Sequence, residues 1–148
     1  MSFDFPRGTR GARQPRGFLL RWANKMMARR VRKGAQGDTL VLVTVGRKSG
    51  AERESPVRGF PGPDGGWLIV ASAGGAAGNP AWYHNLAAHP DQVKVITGGK
   101  TVPVTAAQLH DDERDEAWRQ ITTAAPRFAD YQTKTDRALP IIRLTPEI

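Results

Sequence analysis

The residues best suited to hold an anion stand directly after a β-branched run. The run TLVLVTV is followed by Gly46, Arg47, Lys48, Ser49 and Gly50. Cationic side chains beside a glycine-containing turn, together with the backbone N–H groups of that turn, can hold a phosphate or a carboxylate. The glycine spacing of a Walker loop is missing, so nucleotide hydrolysis is not predicted. The alternative interpretation is an ordinary solvated turn.

A second stretch of small residues would let the backbone approach a bulky, flat ligand. After the apolar run at residues 67–71, the chain reads SAGGAAGNPAWYHN, in which Gly74, Gly75 and Gly78 carry no side chain. Glycine removes the steric obstruction to such an approach. A flexible connection would have the same composition, so the glycines alone do not decide between the two.

Metal and thiol chemistry have little support in the sequence. The chain has no cysteine, which excludes disulfides, thiolate nucleophiles and cysteine-ligated metal sites. His84 and His89 share one predicted helix, but a separation of five places puts their imidazoles on different faces, and His110 lies apart. No metal site is predicted, so any chemistry must come from other side chains or a borrowed cofactor.

A framework made largely of strands must position these residues. Apolar and β-branched runs predict six strands, with a hairpin at the GGK between the fourth and fifth: 39–45, 55–60, 67–71, 93–96, 101–105 and 141–144. Asn79 and Pro80 predict the N-cap and first turn of a short helix, and Asp111 and Asp112 predict the cap of another. No G-x-G-x-x-G follows a strand, so a nicotinamide-binding fold is not predicted. The pattern predicts a mainly β (α+β) domain, a small barrel with flanking helices.

The positive charge of the chain is concentrated at its N-terminus. Residues 1–33 contain ten Arg and Lys against one acidic residue, and the remainder contains 12 basic and 13 acidic residues, so net charges of +9 and −1 make up the total of +8. Residues 1–15, rich in Arg, Gly and Pro, predict a flexible basic arm. Residues 35–148 carry no excess charge and predict the barrel domain, so specific nucleic-acid binding is not expected. Any attraction for polyanions belongs to the arm.

Residues 16–34 predict an amphipathic helix. Its apolar stripe consists of Phe18, Leu19, Trp22, Ala23, Met26 and Met27. The stripe can pack on the core, or it can dip into an anionic membrane surface with arginines at the headgroups. No stretch reaches the run of about 18 apolar residues that a membrane span requires. We therefore expect a cytoplasmic protein, with peripheral contact at the inner face of the cell membrane as an alternative.

Four separated stretches resemble one enzyme family. In order and spacing, TVGRKSG, ESPV, VASAGGAAGNPAWYHNLAAHP and FADYQTKTDRALPIIRLTP resemble the deazaflavin-dependent nitroreductase family of actinobacteria. The resemblance covers residues 38–146. It implies a split β-barrel of the flavin-reductase or FMN-binding type. It also implies that reduced coenzyme F420 donates hydride to quinones, activated enones and some nitro compounds.

The resemblance implies a role for individual residues. The coenzyme's phosphate and oligoglutamate tail would be met by Arg47, Lys48, Ser49 and Gly50. The deazaflavin ring would be lined by Ser55, Pro56 and Val57, and its polar edge by the backbone of Val70, Ala71, Ser72 and Ala73. The coenzyme's phosphate and side chain would be enclosed by Ala81, Trp82, Tyr83 and Asn85. The substrate would lie under Phe128 and Tyr131, and the candidate catalytic residues are Ser72 and Tyr131.

The chain departs from the family pattern at two places. Family members commonly read ASKGG where this chain has Ala73, so one cationic contact to the coenzyme tail is absent. They also often carry tyrosines where this chain has Ala125 and Phe128. We therefore expect weaker coenzyme binding and a more apolar substrate pocket.

Other functions are compatible with the same residues. A split barrel can hold flavin mononucleotide instead of F420, as in pyridoxamine-phosphate-oxidase-like proteins. A non-enzymatic carrier could bind an apolar ligand in the barrel groove. Split barrels commonly form homodimers, although nothing in this sequence requires one.

Overall fold

The computed structural model describes residues 3–11 and 39–147, which contain seven β-strands and three α-helices. The strands are β1 (Thr39–Val45), β2 (Glu52–Arg58), β3 (Phe60–Pro61), β4 (Trp67–Val70), β5 (Val93–Thr97), β6 (Lys100–Gln108) and β7 (Ile141–Pro146). The helices are α1 (Ala81–Ala88), α2 (Asp111–Ala124) and α3 (Arg127–Thr133). Along the sheet the order is β2, β1, β5, β6, β7, β4 and β3, and every neighbouring pair is antiparallel.

The sheet curls where the chain changes partners at a glycine. β2 pairs with β1, whereas β3, which follows after Gly59, pairs with β4. A Cβ at Gly59 would lie 2.5 Å from Leu40 Cδ2, so a side chain does not fit at this corner. β2 also contacts β4, and the sheet is a half-barrel. The predicted mainly β fold is confirmed, but the single strand predicted for residues 55–60 is wrong because it is divided at the corner.

Alternate residues of the strands fill the interior of the half-barrel. Leu40 and Leu42 of β1 share one buried cluster with Ile142 and Leu144 of β7, and Leu86 of α1 joins it. All five side chains are at most 2% exposed. Full burial of such a side chain stabilises the fold by about 1.5–3 kcal/mol. This cluster therefore fixes α1 against the sheet.

A second buried cluster holds α2 and α3 against β4 and β7. Val70 of β4 and Ile141 of β7 pack with Ile121 of α2 and Phe128 of α3. Because Val70 and Phe128 belong to this cluster, the end of β4 and the start of α3 are held beside each other. A cleft that can hold a ligand opens where these two elements meet.

The predicted hairpin and two of the predicted helices are confirmed. Gly98 and Gly99 have φ angles of +55° and +79° between β5 and β6, as a tight hairpin turn requires. α1 and α2 lie where the sequence predicts them. α3 was not predicted, because its seven residues are too short for a clear helical periodicity.

The predicted helix caps are wrong. The N-cap of α1 is Pro80, without a side-chain cap hydrogen bond. The Asn79 side chain instead donates to the Phe5 carbonyl (3.1 Å) and accepts from Arg137 (2.7 Å). The N-cap of α2 is His110, also without a side-chain cap, and Asp111 lies inside the first turn. The Asn79 side chain does not cap α1 because it forms these tertiary hydrogen bonds instead.

Residues 3–11 lie against the barrel and are anchored at both ends. Phe5 donates its N–H to the Tyr83 hydroxyl (3.3 Å), and the Thr9 N–H and hydroxyl both donate to the Asp136 carboxylate. Hydrogen bonds from Thr9 and the Arg10 amide lower the pKa of Asp136 to about 2. The Asp136 anchor is therefore present at neutral pH and is lost only as the pH falls towards 2.

The predicted helix at residues 16–34 lies outside the described residues. Within the two described stretches, no helix has both the length and the apolar character needed to cross a membrane.

Candidate active site

A cleft of about 280 Å³ opens between β2, the end of β4, α1 and α3. It brings together eight of the residues assigned to the coenzyme or substrate: Pro56, Val57, Val70, Ser72, Ala73, Trp82, Phe128 and Tyr131. Three further lining residues were not predicted: Arg58, Pro80 and Arg127. Residues from four parts of the chain therefore meet at one cleft.

The aromatic side of the cleft is held rigidly by edge-to-face contacts. The Phe128 ring centroid lies 5.6 Å from that of Phe60 and 5.5 Å from that of Tyr131, with interplanar angles of 74° and 87°. Phe128 is 6% exposed, so it mainly supports the wall, whereas Tyr131 is half-buried. The Arg127 guanidinium lies 5.4 Å from the Phe128 ring centroid and adds positive charge at the rim.

The loop after β4 presents small residues to the cleft. The Ala71 amide donates to the Pro140 carbonyl (2.9 Å), so it is not available to a ligand. The Ser72 hydroxyl and amide have no hydrogen-bond partner within the described residues. Ala73 has φ +46°, a conformation that costs a non-glycine residue about 1 kcal/mol or more. Backbone strain is thus located beside the predicted catalytic serine.

Arg137 holds this loop in place from beneath, and no role was predicted for it from the sequence. Its guanidinium donates to the carbonyls of Ala71 (3.1 Å), Ser72 (2.8 Å) and Ala76 (2.8 Å), and to Asn79 Oδ1 (2.7 Å). The residue is 3% exposed. Burial lowers the pKa of Arg137, yet a guanidinium remains charged at neutral pH. Four charge-assisted hydrogen bonds thereby set the path of the chain that carries Ser72.

The predicted anion-binding turn presents its cations outward. The Gly46 amide donates to the Ala51 carbonyl (2.8 Å), and the Gly50 amide donates to the Gly46 carbonyl (2.9 Å). The Arg47 amide donates to Asn85 Oδ1 (3.1 Å). These bonds use the Gly46, Arg47 and Gly50 amides internally. The side chains of Arg47 and Lys48 are exposed and have no partner within the described residues. Anion binding at this turn therefore depends chiefly on the side chains.

Tyr83 and Asn85, both assigned to the coenzyme, are buried and hydrogen-bonded within the protein. The Tyr83 hydroxyl donates to Gln108 Oε1 (2.5 Å), and burial raises the pKa of this hydroxyl. The Asn85 side-chain amide donates to Thr44 Oγ1 (3.1 Å), and Asn85 Oδ1 accepts a hydrogen bond from the Arg47 amide (3.1 Å). Asn85 thus fixes the cationic turn to α1, and Tyr83 fixes α1 to the sheet.

A larger cavity of about 910 Å³ lies on the other side of the first turn of α1. It is lined by Arg47, Tyr83 and His84 from the barrel and by residues of the N-terminal segment, including Phe5 and Arg7. Pro80 and Trp82 line the cleft, whereas Tyr83 and His84 line the cavity, so the start of α1 separates the two spaces.

The remaining assigned residues line neither space. The turn residues Lys48, Ser49 and Gly50 are exposed next to Arg47, and Ala81 is exposed at the start of α1. Ser55 lies on β2 opposite Leu42. Among the described residues, no group of three or more His, Asp or Glu side chains could hold a metal ion.

The pKa of His84 reports on the charge of the larger cavity. Burial lowers it, and the positive charge of Arg47 lowers it further. We expect Arg47→Ala to raise the His84 pKa, without restoring its ordinary value, because the burial remains. An NMR titration of the imidazole measures this change. Lys48→Ala is the matched control and should leave the His84 pKa nearly unchanged, and an equal rise in both variants would contradict the arrangement.

Comparison with known proteins identifies the family. The model of the F420H2-dependent quinone reductase family matches residues 20–146. The chain belongs to this family. The F420H2-dependent quinone reductase Rv1261c of Mycobacterium tuberculosis is 37% identical over 110 residues, which cover 72% of each chain. This protein is therefore an oxidoreductase with coenzyme F420 as its cofactor, and the family and cofactor expected from the resemblance are confirmed.

Solved structures support the same fold for this reductase. An F420H2-dependent reductase, FDR-A, is 37% identical with a TM-score of 0.66, covering 74% of this chain and 96% of that one. A structure described as a domain-swapped dimer is 32% identical with a TM-score of 0.68, covering 86% and 99%. A pyridoxine-phosphate oxidase family member from Clostridium acetobutylicum is 12% identical with a TM-score of 0.50, covering 87% and 84%, and shares the fold alone. The predicted split barrel is confirmed.

The residues of this F420-dependent reductase fit the two chemically different ends of the coenzyme. The cleft has apolar walls at Pro56, Val57 and Trp82, and only small side chains at residues 72 and 73, as a flat ring requires. In the part of the chain that the structure describes, the cavity is lined by Arg7 and Arg47 and by no carboxylate side chain, which suits an anionic tail.

Proposed function

We propose that the protein transfers hydride from reduced F420 to quinones, and also to activated enones or nitro compounds, in the cleft between β2, β4, α1 and α3. The observation that carries this proposal is the convergence of Val57, Ser72, Trp82 and Tyr131 on one cleft that adjoins a cationic cavity. Membership of the quinone reductase family supports the acceptor class. The same membership favours F420 over flavin mononucleotide and over an apolar cargo.

Binding is divided between the two spaces. Pro56, Val57 and Trp82 would hold the ring between apolar surfaces, and Pro56 is tolerated in β2 because that strand is an edge strand. Arg47 and Lys48 would hold the anionic tail at the exposed turn. When bound, the reduced coenzyme supplies a hydride, so the protein is left to orient the acceptor and to stabilise its charge.

The acceptor would lie between the small-residue loop and α3. Ser72 and Tyr131 line the same cleft, and the Ser72 hydroxyl and amide and the Tyr131 hydroxyl would donate hydrogen bonds to an acceptor oxygen as it becomes negative. Neither side chain needs to be the proton donor, because water reaches an open cleft. Phe128 supports Tyr131 from behind and keeps its ring edge-on.

The Tyr131 hydroxyl is tested by Tyr131→Phe, which keeps the ring contacts with Phe128. Loss of one donor to a developing oxyanion costs about 10²-fold in kcat. Because Ser72 shares the task, we expect a fall of about tenfold in kcat for a quinone, with little change in KM. Steady-state kinetics with menadione measure both. Unchanged kinetics would remove this hydroxyl from the mechanism.

The proposed function is tested by following oxidation of reduced F420 in the presence of menadione, cyclohexenone and a nitroimidazole. We expect turnover with menadione, and slower turnover or none with the nitroimidazole, because Phe128 makes the pocket more apolar. Titration of the same protein with flavin mononucleotide is the control. Tight binding of flavin mononucleotide without F420-dependent turnover would defeat the proposal.

We further propose a cytoplasmic protein that contacts the membrane surface through residues 16–34. The support is the sequence alone, which places Phe18, Leu19 and Trp22 on one helical face among arginines. Co-sedimentation with anionic liposomes compares the full chain with a chain that begins at residue 35. Equal pelleting of the two would reject the anchor.

A homodimer is proposed from the similarity to a domain-swapped dimer. Light scattering coupled to size-exclusion chromatography measures the mass in solution. A mass near the 16.2 kDa of one chain at all concentrations would contradict it.

A further inference from the structure

The N-terminal segment forms one wall of the larger cavity. Gly8 donates its N–H to the Ala77 carbonyl (2.8 Å), and the Phe3 ring lies edge-on to Tyr83 with 5.6 Å between centroids. Together with the Thr9 and Asp136 anchor, these contacts place residue 7 at the cavity. The wall is therefore built by a part of the chain that lies more than 60 residues from α1 in sequence.

The described lining of the cavity carries positive charge. Arg7 and Arg47 line it, and none of the described residues that line it is an Asp or Glu. Neither guanidinium has an ion pair or hydrogen bond within the described residues. Arg10, two residues after Gly8, differs because it donates to the Thr133 carbonyl (3.2 Å). Two guanidinium groups without ion pairs among the described residues can both donate hydrogen bonds to an anion bound in this cavity.

We propose that Arg7 is a second coenzyme-binding cation, which lines the same cavity as Arg47 and contacts the phosphate or the glutamate carboxylates of F420. This inference rests on the proposed function. It assigns a binding role to a residue outside the resemblance, in a site where residue 73 is Ala and contributes no charge. The guanidinium suits this task because its donors can hold a carboxylate or phosphate through two parallel hydrogen bonds.

The backbone contacts make Arg7 separable from the docking of its segment. Phe5, Gly8 and Thr9 hold the segment through main-chain and hydroxyl groups, and the Arg7 side chain takes no part in this. Substitution of Arg7 should therefore change the charge of the cavity without releasing the wall. Amide exchange at Gly8 and Thr9 checks that the segment stays docked.

The test is a fluorescence titration of the full chain with F420 at low and high salt. The variants are Arg7→Gln, which removes the charge, and Arg7→Lys, which keeps it. The control is Arg119→Gln, which removes a charge from an exposed position on α2 that pairs with Glu116 (3.0 Å). We expect Arg7→Gln to raise Kd about five- to tenfold at low salt and less at high salt. Arg7→Lys keeps the charge but loses the fork of donors, so its Kd should lie between those of the wild type and Arg7→Gln. Arg119→Gln should stay within about twofold of the wild type.

Each other result overturns a defined claim. A Kd for Arg7→Gln within twofold of the wild type, with the wild type binding F420, overturns the role of Arg7 and leaves the proposed function standing. The role is also overturned if Arg7→Lys is as weak as Arg7→Gln, or if the rise in Kd comes with loss of amide protection at Gly8 and Thr9. Failure of the wild type to bind F420 overturns the proposed function itself.

Discussion

Replacing Arg137 with alanine is expected to lower the free energy of unfolding by about 3–5 kcal/mol and to abolish measurable F420 binding. The change removes the donor to the carbonyls of Ala71 and Ala76 and to the Asn79 amide oxygen. The Ser72 carbonyl loses one of its two donors, because the Gly75 amide still donates to it. A buried acceptor that loses its partner costs about 1–3 kcal/mol, and the losses here are partly relieved because water can enter from the cleft. Coenzyme binding fails because the loop that carries Ser72 loses its fixed path.

Urea unfolding and F420 titration of the same samples measure the two effects. Arg137→Lys is the matched variant, since it keeps the charge but presents a point donor in place of a fork of five N–H groups. It should recover part of the stability and little of the binding. Arg119→Ala, at an exposed site, should change the unfolding free energy by less than about 0.5 kcal/mol. An Arg137→Ala protein with wild-type stability and affinity would show that the loop does not depend on this residue.

Local sequence signals predicted the strands and the hairpin but not the corner or the caps. The paired glycines at residues 98 and 99 supply the positive φ angles that a tight turn needs. Two consecutive glycines in the sequence are enough to indicate such a turn. Gly59 lies between β2 and β3 close to the buried Leu40 side chain, and no local pattern reveals that contact. The sequence position of Asn79 is typical of an N-cap, yet its side chain forms hydrogen bonds with Phe5 and Arg137 instead.

The candidate site was predicted through resemblance more than through residue chemistry. Ser72, Trp82 and Tyr131 carry no individual signal, and the fold brings them together with residues of β2. Arg137 lies in one of the four stretches that resemble the family, but its structural role depends on a hydrogen bond to the Ala76 carbonyl, 61 residues earlier in the chain. Arg7 was placed in a flexible arm because arginine, glycine and proline without apolar periodicity are typical of disorder. Hydrogen bonds between residues so far apart in sequence leave no periodic trace.

The second large effect is expected at the cationic turn after β1. Arg47 and Lys48 are exposed, and their amide frame is held by Asn85, so charge reversal should change electrostatics and leave the turn intact. A charge-assisted hydrogen bond contributes about 1.5–3 kcal/mol, and solvent reduces this at exposed positions. Reversal also adds repulsion against a tail of like charge. We expect Arg47→Glu with Lys48→Glu to raise the Kd for F420 at least about 100-fold, while the unfolding free energy changes little.

The most direct measurement for the whole account is therefore the F420 dissociation constant of this double variant beside that of the wild type. The control is charge reversal at Lys94 and Lys100, which line neither the cleft nor the cavity. We expect tight binding by the wild type and the control, and a loss of affinity of at least about 100-fold in the double variant that diminishes as salt is added. Equal dissociation constants for all three proteins would contradict the placement of the coenzyme.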